Sequence, residues 1–221
     1  MGEKPRISLI HATSVAMQPI NESFLRLWPD AVVYNLLDDS LTADLERAGG
    51  DVMAMAHRFS ALVRYALEGA ADGILFTCSA FGPAVELARA GGSIPMLKPN
   101  EAMIEEALAI GRKIALIATF RPALAPIMDE FHQAASGLEL NPVFVEGALN
   151  ALKAGDQAAH DRLIAEACAA ASGSDVVCFT QFSMTSARDA SHLACRRPTL
   201  TTTDSAVEKL KSLIAQRSGK K

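Results

Sequence analysis

The chain has 221 residues, half of them apolar and 21 % charged, which suits one compact α/β unit or two small lobes and is too apolar for disorder. A net charge of -4 gives no support to a nucleic-acid partner. No apolar stretch reaches the ~18 residues of a membrane-spanning helix, so no membrane partner is expected.

The N-terminal segment Met1-Gly2-Glu3-Lys4-Pro5-Arg6 lacks an apolar signal region, and Arg6 stands where a myristoylation site wants Ser or Thr. Arg6-Ile7-Ser8-Leu9-Ile10 is a short apolar run with polar borders and predicts a buried parallel strand. A helix is expected near residues 18 to 28, then a strand at Ala31-Val32-Val33-Tyr34-Asn35. Met55, Phe59, Leu62, Val63 and Leu67 fall at helical spacing and predict a helix from about Asp51 to Gly69. A strand ending at Cys78 follows, then a helix near 82 to 90, a short strand at Pro95-Met96-Leu97 and a helix near 100 to 110. Ala90-Gly91-Gly92-Ser93 precedes a strand and opens no helix, so it is no phosphate loop.

The second half repeats the first. Lys113-Ile114-Ala115-Leu116-Ile117 matches the first strand at an offset of 107, as do Pro126-Ile127 with Pro19-Ile20 and Phe131 with Phe24. Asp72-Gly73-Ile74-Leu75-Phe76-Thr77-Cys78-Ser79-Ala80-Phe81 aligns without gaps on Asp175-Val176-Val177-Cys178-Phe179-Thr180-Gln181-Phe182-Ser183-Met184, at an offset of 103. Pro95, Leu97 and Glu105 pair with Pro198, Leu200 and Glu208 at the same offset, so the second half has lost a net four residues in its middle. Alternation of strand and helix predicts parallel sheets with right-handed crossovers. The expected architecture is α/β: two pseudo-symmetric Rossmann-like lobes, each a parallel sheet flanked by helices, with the active cleft between them. Residues 1–99 with 201–221 form the first lobe, because the helix near 203 to 215 is expected to cross back onto it; residues 100–200 form the second.

Ligands of such sheets bind beyond the C-terminal strand ends. Cys78 and His11 are the candidate catalytic groups at that edge. A thiol leading into a helix gains thiolate character from the helix N-terminus and suits proton transfer or attack on carbon. Its partner position is Gln181, whose amide exchanges no proton near neutral pH. His11 is the only histidine at this edge, and its counterpart is Ala118; a role as second acid or base stands against a structural one. Thr13, Ser14, Ser79, Ala80, Thr119, Thr180, Gln181 and Ser183 are candidate substrate contacts through hydroxyls, amide and strand-end N–H groups, in competition with ordinary helix capping. Cys178 and Cys168 read as core, Cys195 as part of a turn, and His57, His132, His160 and His192 as surface groups. The histidines have no metal-ligand spacing and the four cysteines form no C-x-x-C pair, so neither a metal site nor a redox motif is expected, and the reading is a reduced, cytoplasmic protein. The tail Lys209, Lys211, Arg217, Lys220 and Lys221 reads as a solvated basic end.

These motifs, Phe76-Thr77-Cys78-Ser79-Ala80-Phe81 and Phe179-Thr180-Gln181-Phe182-Ser183-Met184, with Pro95-Met96-Leu97-Lys98-Pro99-Asn100-Glu101-Ala102, resemble those of the aspartate/glutamate racemase superfamily over almost the whole chain. That group comprises aspartate, glutamate and hydantoin racemases, maleate isomerase and arylmalonate decarboxylase. The resemblance implies a cofactor-independent isomerase or racemase acting on a small carboxylate by thiolate chemistry at Cys78, with no metal, in a chain that can be a homo-oligomer. It also implies a departure: the racemases use one cysteine per lobe, and Gln181 stands where the second belongs. A single-cysteine decarboxylase or other lyase is the alternative within the group, although the family's decarboxylase carries its cysteine in the second lobe. A carboxylate-binding protein that has lost catalysis is the alternative outside it.

Overall fold

The computed structural model describes residues 4–218. Met1, Gly2 and Glu3, and the tail residues Lys220 and Lys221, lie outside the described residues. The chain divides into two compact units: one runs to Glu101 and resumes at Ala206, and the other comprises Ala102–Ser205.

In the first unit β1 (Arg6–His11), α1 (Met17–Leu27), β2 (Val32–Leu37), α2 (Leu41–Arg47), α3 (Ala56–Glu68), β3 (Gly73–Phe76), α4 (Gly82–Arg89) and β4 (Met96–Leu97) follow one another. Then come α5 (Glu101–Ile110), β5 (Lys113–Ala118), α6 (Leu124–Ala134), β6 (Glu139–Phe144), α7 (Ala148–Lys153), α8 (Gln157–Ala169), β7 (Val176–Phe179), α9 (Arg188–Cys195), β8 (Thr199–Thr201) and α10 (Thr202–Ser218). Each unit has a four-stranded parallel sheet, ordered β2-β1-β3-β4 in one and β6-β5-β7-β8 in the other. The α/β architecture of two parallel sheets flanked by helices is the expected one.

Burial follows strand position. The inner strands β1, β3, β5 and β7 are almost wholly buried, as strands covered on both faces must be. Edge strands β2 and β6 are partly open, and the edge position is what lets β6 contain Pro142, which has no N–H for a second neighbour. On one face of the first sheet Ile10, Ile74 and Phe76 pack with Phe59, Val63 and Val85 from α3 and α4. On the other, Gly73 lies so close to Leu210 and Ile214 of α10 that an added Cβ would come within 3.0 Å of both. In the second sheet Ala115, Ile117, Val177 and Phe179 pack with Ile164 and Cys168 of α8, while Ile114, Leu116, Val176 and Cys178 pack with Met103, Ile104 and Ala107 of α5 and with Phe131 of α6. Helix α5 thus follows the first unit's last strand yet covers the second unit's sheet, and α10 makes the converse journey.

Asp72 and Asp175 open the repeated motif for a reason that the strands supply. A strand that begins a parallel sheet leaves N–H groups unmet. Asp72 Oδ2 accepts the N–H of Arg6 at 2.8 Å, and Asp175 Oδ2 accepts those of Arg112 and Lys113, both at 2.9 Å. These two N–H bonds to Asp175 hold its carboxyl below the usual range. A Cβ on Gly111 would come within 2.4 Å of Asp175 Cβ, the root of a side chain that cannot swing aside without losing both bonds. Gly111→Ala is therefore expected to lower stability by about 1–3 kcal/mol, the usual cost of overpacking, read as a lower urea midpoint.

Several elements differ from expectation. Helices α2 and α7 were not anticipated; each is short, and the apolar periodicity that signals longer helices has no room to develop. The strand expected to end at Cys78 stops at Phe76, although the Thr77 N–H still bonds Ile10 O at 3.1 Å. The segment 52–55 is a 3-10 turn leading into α3, capped by the Asp51 carboxylate accepting from the Met53 N–H. No described helix is long and apolar enough to cross a membrane.

Candidate functional site

In both sheets the chain leaves the first strand for one neighbour and returns to pair on the other side, so strand order reverses between β1 and β3 and between β5 and β7. At such a reversal the connections depart in opposite directions and leave a crevice at the C-terminal edge. Cys78 and Gln181 stand at the two reversals, each in extended backbone just before a 3-10 turn (φ -122°, ψ 117° and φ -139°, ψ 140°). Phe81 anchors the turn after Cys78: it is 1 % exposed and its ring centroid lies 5.1 Å from that of Phe59. Met184, its counterpart, is equally buried.

Cys78 is partly buried and packs along the α3–α4 core, while Ser79 and Ala80 after it are exposed. Burial pushes the Cys78 thiol up, and the Ala80 N–H, which bonds the sulfur, pulls it partly back. The helix-terminus effect expected to create a thiolate is present but is outweighed by desolvation, so the resting group is a thiol. The other cysteines are buried. Cys178 is core in β7 and Cys168 core in α8, its thiol pushed up to about 11 by burial. Cys195, expected in a turn, is instead the last residue of α9 and buried, with Arg196 in left-handed backbone after it.

His11 is wholly buried at the end of β1. Nε2 lies 2.9 Å from Asn35 Oδ1 and Nδ1 lies 2.8 Å from Thr77 Oγ1. The Asn35 amide is oriented by Asn21, whose Nδ2 donates to Asn35 Oδ1 at 3.1 Å and to Met17 O at 2.6 Å. Asn35 therefore presents an oxygen to His11 Nε2, while the Thr77 hydroxyl beside Nδ1 also reaches Ile10 O at 3.3 Å. Burial lowers the His11 pKa and the Asn35 bond raises it less, which keeps the ring neutral. Both nitrogens are engaged, and the imidazole ties β1 to β2 and to the segment leading into Cys78. Because its folded-state pKa lies below the unfolded value, stability from this site is complete above about pH 6.5 and is lost as pH falls toward the folded value. His11→Leu leaves the buried Thr77 hydroxyl without its ring partner and is expected to cost about 1–3 kcal/mol and to flatten that acid-side slope, as measured by urea unfolding from pH 5 to 8.

In the second unit Gln181 points its amide back at the end of β5. Oε1 accepts from Thr119 N at 2.7 Å, Thr119 Oγ1 at 3.1 Å and Phe120 N at 3.2 Å. Three donors on one oxygen fix the amide, and Nε2 has no hydrogen-bond partner among the described residues. Thr119 is thus committed within its own unit, and so is Thr180, which donates to Ile117 O at 3.1 Å. Thr13 is half-buried, Ser14 exposed and Ser183 half-buried. Phe81, Phe182 and Met184 are core, and Phe120 is exposed.

His160, expected at the surface, is fully buried in α8, with Nδ1 2.8 Å from Ala148 O and Nε2 3.2 Å from Ser183 O. It joins the unforeseen α7 to the turn after Gln181. His57, His132 and His192 are exposed. Thr119 was a candidate from the sequence, whereas the backbone N–H of Phe120 was not, because no residue type announces it. Among the described residues no group of three or more His, Cys, Asp or Glu is placed to hold a metal ion.

No curated protein matches the chain in sequence. Among solved structures, allantoin racemase from Klebsiella pneumoniae superposes with a TM-score of 0.75 at 19 % identity, over 96 % of this chain and 89 % of that one. Aspartate racemase from Picrophilus torridus gives 0.67 at 12 % identity, over 96 % and 92 %. Unliganded arylmalonate decarboxylase gives 0.65 at 15 %, over 95 % and 93 %. At these identities the likeness is one of fold. The Asp/Glu/Hydantoin racemase family model matches residues 10–210, nearly the entire described chain, and the protein belongs to that family.

Proposed function

We propose that this protein is a racemase-type isomerase that moves a proton at the carbon beside the carboxylate of a small acid, with Cys78 as the proton-transferring group. The observation that carries the reading is the position of Cys78: a partly buried thiol at the strand-order reversal of the first sheet, followed by exposed Ser79 and Ala80. As a thiolate, Cys78 takes the proton from the carbon, whose C–H electrons pass into a planar enediolate; the enediolate turns in the site, and the thiol so formed returns a proton to its other face, which inverts the carbon. The Ala80 N–H, already on the sulfur, stabilises the anionic form. Gln181 supplies no proton, since its oxygen is held by three donors and its amide does not ionise. His11 acts through Thr77 to position the Cys78 segment. The chemistry uses no cofactor.

The thiol state of resting Cys78 supports a variant of this reading. A lyase that releases CO₂ from a malonate-type acid needs no base: the C–C bond electrons pass to an enediolate, and the Cys78 S–H protonates the carbon. The two variants separate on products, one giving the mirror-image acid with solvent deuterium at the exchanged carbon and the other giving CO₂. The test of the shared claim is to incubate candidate small acids in D₂O with wild type and Cys78→Ala; equal deuterium incorporation by the two proteins for every acid turned over would remove Cys78 from the chemistry.

A further inference from the structure

The second unit contains its own record of what the strand-order reversal binds. The Gln181 carboxamide oxygen sits on the N–H groups of two successive residues, Thr119 and Phe120, at the end of β5. Consecutive N–H groups that converge on one oxygen form an anion-binding concavity. The matching residues of the first unit, at the offset of 107, are Ala12 and Thr13. Thr13 and Phe120 have similar extended backbone, φ -154°, ψ 143° and φ -128°, ψ 106°, and each precedes a 3-10 turn. Cys78 and Gln181 share their backbone conformation too, as given above. The difference is side-chain length. Cysteine ends at Sγ, about where glutamine has Cγ, and so stops short of the concavity. Among the described residues neither the Ala12 N–H nor the Thr13 N–H has a hydrogen-bond partner. Ala12 is only 2 % exposed, so water does little to satisfy its N–H. The Thr13 hydroxyl does not cap its own 3-10 turn and is available as a third donor.

We infer that the Ala12 and Thr13 N–H groups bind one carboxylate oxygen of the ligand, in the place that Gln181 Oε1 fills in the second unit. This rests on the proposed function and gives it an orientation. The ligand carbon is not bonded to Sγ as Cδ is to Cγ, so it stands off from the sulfur by a van der Waals contact. The carboxylate is thereby laid beside the sulfur. Gln181 is in this sense a built-in plug, and its unit keeps no room for a carboxylate at the equivalent position. One small acid therefore binds per chain, on the cysteine side.

The test exchanges the two residues and follows the four amides. In ¹H–¹⁵N spectra titrated with sodium succinate, the Ala12 and Thr13 amides of wild type are expected to shift saturably, and those of Thr119 and Phe120 to stay put; sodium chloride at equal ionic strength should move none. Cys78→Ala should bind succinate at least as well as wild type. Cys78→Gln should shift the Ala12 and Thr13 amides before any succinate is added and weaken succinate binding by tenfold or more. Gln181→Ala should open the second concavity, so that Thr119 and Phe120 begin to respond. Cys78→Gln that binds succinate as wild type does, or succinate binding that leaves Ala12 and Thr13 unmoved, would overturn the inference. That failure is separable from failure of the function: loss of deuterium exchange in Cys78→Ala without any response at Ala12 and Thr13 would keep the thiol and discard the carboxylate site. An unfolded Cys78→Gln would show as collapsed dispersion, and the Gln181→Ala arm then decides alone.

Discussion

Cys78→Ala is expected to slow proton exchange at the substrate carbon by about 10²–10⁴-fold, the usual worth of a positioned acid or base, which corresponds to roughly 2.7–5.5 kcal/mol of barrier. The loss should fall on kcat and on kcat/KM alike, because the group acts at the transition state. It should leave unfolding nearly unchanged, since removing one partly buried sulfur at a core margin forfeits little packing. The pH dependence gives a second reading of the same group. Burial raises the Cys78 pKa, so the thiolate fraction at neutral pH is small and grows with pH. Thiolate-initiated exchange should therefore rise from neutral pH toward an inflection above the ordinary cysteine value. A lyase that uses the thiol as acid should instead keep its rate at neutral pH and lose it through that inflection. Initial rates from pH 6 to 10, with a stability control at each pH, distinguish the two slopes. Iodoacetamide labelling of Cys78 that is no faster than that of free cysteine agrees with the raised pKa and cannot by itself separate enzyme from binding protein.

Phe131→Ala is expected to be the most damaging single truncation in the second unit, costing about 3–5 kcal/mol. Phe131 is 0 % exposed and packs with Met103, Ile104, Ile114, Leu116 and Val176. Those partners come from α5, β5 and β7, three elements that cannot collapse together onto the vacated space, so the hole persists. Phe24, its counterpart at the offset of 107, is 2 % exposed and stacks on Trp28 with centroids 6.2 Å apart. Phe24→Ala should cost less, because Trp28 sits at the end of α1 and can settle into part of the gap. Denaturant titration of both variants by fluorescence and circular dichroism checks the order; a larger loss in Phe24→Ala would show that the α1 layer is the stiffer of the two.

Much of the fold was legible because the inner strands carry continuous apolar runs and occur twice. The offset changes between Phe144 and Val176, where α7 and α8 replace α2, the 52–55 turn and α3, so the missing four residues lie in that crossover. Burial of polar groups was less legible. His160 lies on a helix of ordinary polar appearance, and nothing local says that α7 and the turn after Gln181 close over it. The position of Cys78 could be read, but its protonation state could not, because sequence shows the helix that follows and not the hydrocarbon around the sulfur. His11 stood out by asymmetry with Ala118, yet its ties to Asn35, Asn21 and Met17 O form a chain of bonds visible only in coordinates. Gln181 was legible as the absence of a thiol; what its oxygen does instead was not.

The crossing of α5 and α10 has a bearing on how such a molecule could begin. A gene encoding one repeat alone would end in a helix that covers the other repeat's sheet, while its own sheet would lack the residues that stand over Gly73. Such a product could reach a closed, watertight state only as a pair of copies that trade their last helices. Fusion of the two copies then frees each strand end to diverge on its own, which is the opening through which one site can keep sulfur while its twin is stoppered by an amide.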